Sequence, residues 1–83
     1  MAGYHIAKIE KGVLGTSSKI KEELEELFDA ENQKIKIMVL VELSDIIGAI
    51  ESYLEINYTD ITLEDLKRMS DVTKRAFKSG HRK

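Results

Sequence analysis

No cysteine occurs in the 83 residues, which excludes disulfides, iron–sulfur clusters and thiolate zinc sites. Proline and tryptophan are absent too, and aromatics are only 6% of the chain against 34% charged residues, a composition that favours helix over sheet. Histidine occurs twice, at His5 and His81, too seldom for most zinc sites, so any metal is expected to be a hard cation held by oxygen. Neither charge sign dominates: 13 Lys+Arg against 15 Asp+Glu leaves −2, so no nucleic-acid binding driven by bulk charge is expected. Long apolar runs are missing as well. The richest stretch, Ile35 to Ile50, is broken by Glu42, Ser44, Asp45 and Gly48 and is too short and too charged to span a bilayer. The first eight residues, Met-Ala-Gly-Tyr-His-Ile-Ala-Lys, lack a basic segment followed by an apolar one, so a cytoplasmic chain without membrane association is expected.

What remains is enough for one domain, residues 1–83. A chain of this size buries only about 60% of the surface it exposes when unfolded, so a lone core would be marginal. Residues 1–15 carry Gly3, Gly12 and Gly15 and read as a flexible arm or turn. Thr16, Ser17 and Ser18 offer N-caps for a first helix running to about Glu31, with Ile20, Leu24, Leu27 and Phe28 on one face. Asn32 and Gln33 fit a tight connection, and a second helix is expected from about Lys34 to Asn57. From Ile35 to Ile50, 11 of 16 residues are apolar and lie on all sides, the mark of a helix packed by neighbours on several faces. Thr62-Leu-Glu-Asp65 matches a capping box that opens a third helix to about Lys78, with Leu66, Met69, Val72, Ala76 and Phe77 as its buried stripe and Gly80 as its stop. The expected fold is an all-α antiparallel bundle of three main helices, followed by a basic tail at 79–83.

Two acidic groupings stand out. Six acids and no base fall between Glu22 and Glu31. Taken alone, that run is readily a solvated acidic face, with Glu25 toward solvent and Glu23 and Glu26 flanking the apolar stripe. Glu42 and Asp45 are harder to place, because they sit i and i+3 in the middle of the apolar helix. Removing a carboxylate from water costs several kcal/mol unless it is paired, and two side by side repel. Cations must therefore reach them, either from Lys or Arg side chains or as a metal ion. With the first two helices antiparallel, Glu23 and Glu26 face Glu42 and Asp45 across one cleft, and four carboxylates make an oxygen cage suited to Mg²⁺ or Mn²⁺.

Glu22-Glu23-x-x-Glu26, a gap of 15 residues, then Glu42-x-x-Asp45 resembles the MazG-like all-α nucleoside triphosphate pyrophosphohydrolases. The flanks agree: Lys19-Ile-Lys-Glu-Glu before the first motif, Asp45-Ile-Ile-Gly-Ala-Ile after the second, and an ending from Met69 to Arg82 similar to small bacterial and phage members. The resemblance covers about residues 16 to 82. It implies Mg²⁺-dependent hydrolysis of a (deoxy)nucleoside triphosphate to the monophosphate and pyrophosphate. It also implies Glu23, Glu26, Glu42 and Asp45 as metal ligands, with Glu22 or Glu23 orienting the attacking water. A homodimer or homotetramer is expected, since helices one and three each cover only one flank of helix two. Lys19 and the basic residues Lys74, Arg75, Lys78 and Arg82 are the expected phosphate contacts; the alternative for the C-terminal set is a solvated tail that balances the acidic helix. Candidates for base recognition are Tyr4, His5, Phe28, Tyr53, Tyr58 and Phe77; of these Phe28 and Phe77 read as core, Tyr53 as core or pocket wall, and Tyr4 and His5 as parts of the arm, while His81 reads as exposed. Two other functions fit the same residues: a non-enzymatic helical interaction module, and a phosphoribosyl-ATP pyrophosphohydrolase-like enzyme.

Overall fold

The structure is a computed structural model that describes residues 5–78, with side chains as far as residue 75. The described residues form three helices and no strand: α1 (Ser17–Gln33), α2 (Lys36–Asn57) and α3 (Leu63–Lys78). No helix among them is long and apolar enough to cross a membrane.

Each boundary has a local cause. Thr16 is extended, and its Oγ1 accepts the Ser18 N–H at 3.2 Å, so the first of the three N-cap candidates starts α1. The connection falls two residues later than Asn32–Gln33. The Gln33 amide donates to Asp29 Oδ2 one turn back at 2.9 Å, and Lys34 takes the left-handed turn (φ 60°), its N–H closing on Glu31 O. With so short a connection, α1 and α2 fold back as an antiparallel αα-hairpin packed along its length. The capping box opens α3 as expected: Thr62 Oγ1 accepts the Asp65 N–H at 3.2 Å, and Asp65 Oδ2 accepts the Thr62 N–H at 2.9 Å.

The segment before α1 is a built strap and not a free arm. Gly15 turns it with φ +88°, a conformation that favours glycine, and a Cβ there would collide with Ile56 on α2. Asn57 Nδ2 donates to Gly15 O at 2.9 Å, tying the turn to the end of α2. Gly12 lies so close to the backbone of Ser18 and Lys19 that a Cβ would have no room.

The core departs from the expected stripes. The buried apolar residues are Ala30, Met38, Ala49 and Leu54, while Glu22, Glu23, Asp29 and Glu42 are buried beside them. Ile20 and Leu27 are half-buried, but Leu24 is exposed and Phe28 is 52% exposed, so Phe28 is not core in the single chain. Met69 and Val72 of the α3 stripe are exposed as well. The reason is coverage: among the described residues α3 packs on α2 and not on α1, so no third helix covers Leu24 and Phe28. On α2, Ile37, Leu40, Val41 and Ile47 are exposed. The expected side chains of Ala76, Phe77 and Lys78, and the positions of Tyr4, Gly80, His81, Arg82 and Lys83, lie outside the described residues.

Candidate metal centre

Hairpin geometry decides which acids meet. Ligand atoms of Glu23, Glu26, Glu42 and Asp45 all come within 4.8 Å of one another. Glu42 is fully buried, Glu23 nearly so at 6% exposure, Glu26 half-buried and Asp45 exposed, so the group is a recess that opens at Asp45. The first two come from α1 and the last two from α2, each pair i and i+3 on its helix.

The carboxylates respond to this crowding. Burial, a hydrogen bond with Glu42 and the charges of Glu23 and Glu42 push Glu26 up to about 7, against a smaller opposing effect of His5. Asp45 is raised by partial burial and by the charges of Glu23 and Glu42, with Lys19 opposing. Oε1 of Glu23 is buried and meets no hydrogen-bond partner among the described residues. A buried orphan oxygen of this kind marks a place for water or an ion.

Counter-charges come from two places, one a helical neighbour of the acids and one the N-terminal strap. Lys19 Nζ bridges Glu22 Oε1 at 3.2 Å and Glu23 Oε2 at 3.1 Å. His5, from the strap, reaches into the recess: Nδ1 lies 2.7 Å from Asp29 Oδ2, and Nε2 lies 2.9 Å from Glu42 Oε2 and 3.7 Å from Glu26 Oε1. Its ring is raised above its ordinary value: burial lowers it, but the hydrogen bonds to Asp29 and Glu42 and the charges of Glu42 and Glu26 outweigh that. Asp29 is held at about 2, first by His5; desolvation opposes this, and the N–H groups of Ile6 and Ala7 and the Gln33 amide add to the lowering.

Glu22 lies outside the converging four. Its Oε1 accepts the Gly12 N–H at 2.8 Å and the Lys19 ammonium, and Lys11 approaches its other oxygen at 3.7 Å. Burial raises its carboxyl, but these donors outweigh it and hold the group low. Lys74 and Arg75 are exposed on α3 and form no ion pair with another described residue; Lys78 and Arg82 fall outside the described side chains. Tyr53 stacks on Tyr58 with ring centroids 6.2 Å apart, at the end of α2.

His5 and Asp29 are the two site residues that spacing alone misses. For Asp29 a signal exists, since Glu23, Glu26 and Asp29 recur every third residue and continue one acidic face. For His5 only the glycines at 12 and 15 hint that the chain turns back on α1. No protein-family model, curated protein or solved structure matches the chain.

The group has the chemistry of a hard-cation site. Mg²⁺ takes oxygen ligands at about 2.1 Å in an octahedron, so opposite ligands stand about 4.2 Å apart. A spread of up to 4.8 Å therefore needs only a small closure of side chains around an ion. Six acids (Glu22, Glu23, Glu26, Asp29, Glu42 and Asp45) share three bases (Lys11, Lys19 and His5), which leaves an excess of negative charge that a divalent cation would offset.

Proposed function

We propose that this chain is a divalent-metal-dependent nucleoside triphosphate pyrophosphohydrolase of the MazG-like all-α kind. The observation that carries the reading is the convergence of Glu23, Glu26, Glu42 and Asp45 from two antiparallel helices into one recess. A triphosphate brings about four negative charges, and a bare carboxylate recess would repel it. A bound Mg²⁺ or Mn²⁺ supplies the positive charge that draws phosphate oxygens in and polarises them.

In this reading Glu23, Glu26, Glu42 and Asp45 hold the cation, and the exposed Asp45 marks the side from which substrate approaches. Glu23 keeps one oxygen on Lys19 and has the other unsatisfied, so it is the group best placed to accept a hydrogen bond from the attacking water. Glu22, already engaged by Gly12 and Lys19, holds Lys19 in position, and Lys19 is the nearest cation for a substrate phosphate. Water adds to the α-phosphorus, the bond from that phosphorus to the α–β bridging oxygen breaks, and the oxygen leaves with pyrophosphate, giving the monophosphate and releasing the proton of the attacking water to solvent.

The proposal includes a second copy of the chain. Pairing about a two-fold axis would cover the exposed apolar residues of α2 and complete a four-helix core. Lys74 and Arg75, on a helix that packs on α2 and not on α1, would then serve the recess of the neighbouring chain. Lys78 and Arg82 belong with them in this role. Nucleotide is the substrate, and neither a membrane nor nucleic acid is a partner in this reading.

The test is a screen of ribo- and deoxyribonucleoside triphosphates and phosphoribosyl-ATP with Mg²⁺, following pyrophosphate release. Release from a triphosphate that stops with EDTA supports the reading. Release only from phosphoribosyl-ATP moves the substrate class. No release from any nucleotide, together with no effect of Mg²⁺ on thermal stability, would leave a helical interaction module in its place.

A further inference from the structure

The imidazole of His5 sits where a metal ligand would sit. The ring is almost buried at 7% side-chain exposure, and its two nitrogens do different work. Nδ1 faces Asp29, itself fixed by the backbone N–H groups of Ile6 and Ala7 at 3.1 Å each and by Gln33 at 2.9 Å. An acceptor held by that many donors fixes the ring's orientation and keeps the Nδ1 proton in place. Nε2 is thereby aimed at Glu26 and Glu42. A carboxylate behind one ring nitrogen and a cation position in front of the other is the usual arrangement around metal-ligating histidines. Nε2 and one oxygen each of Glu26 and Glu42 lie within 4.8 Å of one another.

We propose that His5 is a metal ligand, forming through Nε2 a second cation position with Glu26 and Glu42 that prefers an imidazole-accepting divalent transition metal to Mg²⁺. The inference rests on the carboxylate recess being a metal centre, because it shares Glu26 and Glu42 with it. Chemistry distinguishes the two positions. The four-carboxylate group offers only hard oxygen donors, the set that Mg²⁺ prefers, whereas a nitrogen donor favours ions toward the zinc end of the first transition row. The strap is then part of the site: Gly12 lets it pass close to the backbone of Ser18 and Lys19, the turn at Gly15 joins it to α1, and Asp29 anchors it at Ile6 and Ala7 beside the ligand. The ring stands between Asp29 and Glu42 as their counter-charge.

Electron spin-echo spectroscopy of Mn²⁺ bound to the untagged full chain tests this, because a directly coordinated imidazole nitrogen modulates the echo. The expected result is a ¹⁴N modulation in the wild type that persists in His81→Gln and disappears in His5→Gln. Mn²⁺ affinity should fall about 10- to 100-fold in His5→Gln while Mg²⁺ affinity changes little. Bound Mn²⁺ with no nitrogen modulation in the wild type would overturn the role of His5 and leave the four-carboxylate reading standing. Nitrogen modulation that survives His5→Gln would also overturn it. No Mn²⁺ binding at millimolar concentration would remove both readings together.

Discussion

His5 and Glu42 lie 37 positions apart in the chain, yet Nε2 of one stands 2.9 Å from Oε2 of the other. That contact closes the N-terminal strap over the αα-hairpin at the centre of its acidic recess. It puts a titratable base against the most buried acid among the described residues, so stability, the proposed metal binding and the proposed activity converge on one place.

Asp45→Asn separates the proposed metal centre from the fold. Asp45 is the exposed member of the four, and its raised carboxyl reflects the partial desolvation of its carboxyl and repulsion by Glu23 and Glu42. Losing it should change stability by no more than about 0.5 kcal/mol, as for surface positions generally. A metal ligand contributes several kcal/mol of transition-state stabilisation, so Mg²⁺-dependent pyrophosphate release should drop on the order of 100-fold or more. Parallel thermal melts and product assays check this, and unchanged turnover would end the proposed site.

The metal-free protein should lose stability as pH rises. Glu26, raised to about 7 from an ordinary 4.5, keeps in the folded chain a proton that the unfolded chain has released. Stability therefore falls between about pH 4.5 and 7. Asp45 adds to the fall, and so does His5, whose contribution is complete below 6.5 and is lost as pH climbs through its raised folded value. On the acid side Asp29, held at about 2, contributes stability above 3.8 that is lost as pH falls toward 2. Denaturation in EDTA should show an optimum near pH 4 to 5. A profile rising from pH 5 to 8 would contradict the raised acids.

Mg²⁺ should reverse that alkaline loss. Binding to the folded chain alone adds about 2.7 kcal/mol at a hundred times the dissociation constant. For a domain this small that corresponds to a Tm increase on the order of 10 °C. The gain should be larger at pH 8 than at pH 5, because carboxylate ligands must lose their protons to bind. Equal melting with Mg²⁺ and with EDTA at pH 8 would count against a metal centre.

Gly15→Ala should destabilise by about 1–3 kcal/mol, since its φ of +88° strains any side chain and the new methyl would meet Ile56. If the strap carries His5 into the recess, the same variant should weaken Mn²⁺ binding more than Mg²⁺ binding. Chemical denaturation and metal titration read the two effects separately.

Leu40→Asp tests the second copy. Leu40 is at the middle of the exposed stripe Ile37, Leu40, Val41 and Ile47. Contiguous apolar surface of this kind marks an interface. The wild type should sediment as a dimer or larger at micromolar concentration and the variant as a folded 9.4 kDa species. A wild type that is itself a stable 9.4 kDa monomer would refute pairing.

The sequence by itself determined the helices, because the signals that make them are local. The Thr16 cap, the Thr62–Asp65 box and the absence of proline act within a turn or two, and each helix stands within two residues of where those signals put it. It also determined that Glu23 and Glu26 share one face and Glu42 and Asp45 another, since i and i+3 spacing is a property of the helix alone. Only the tertiary structure decided the rest. Whether Leu24 and Phe28 are covered depends on where α3 lies, and α3 stays on α2. That Glu22 faces Gly12 while Glu23 faces the recess depends on how α1 is rotated against its neighbours. His5 is the clearest case. No periodicity links a residue in a glycine-turned strap to an acid 37 positions away, and their contact exists because the close approach at Gly12, the turn at Gly15 and the anchor at Asp29 act together.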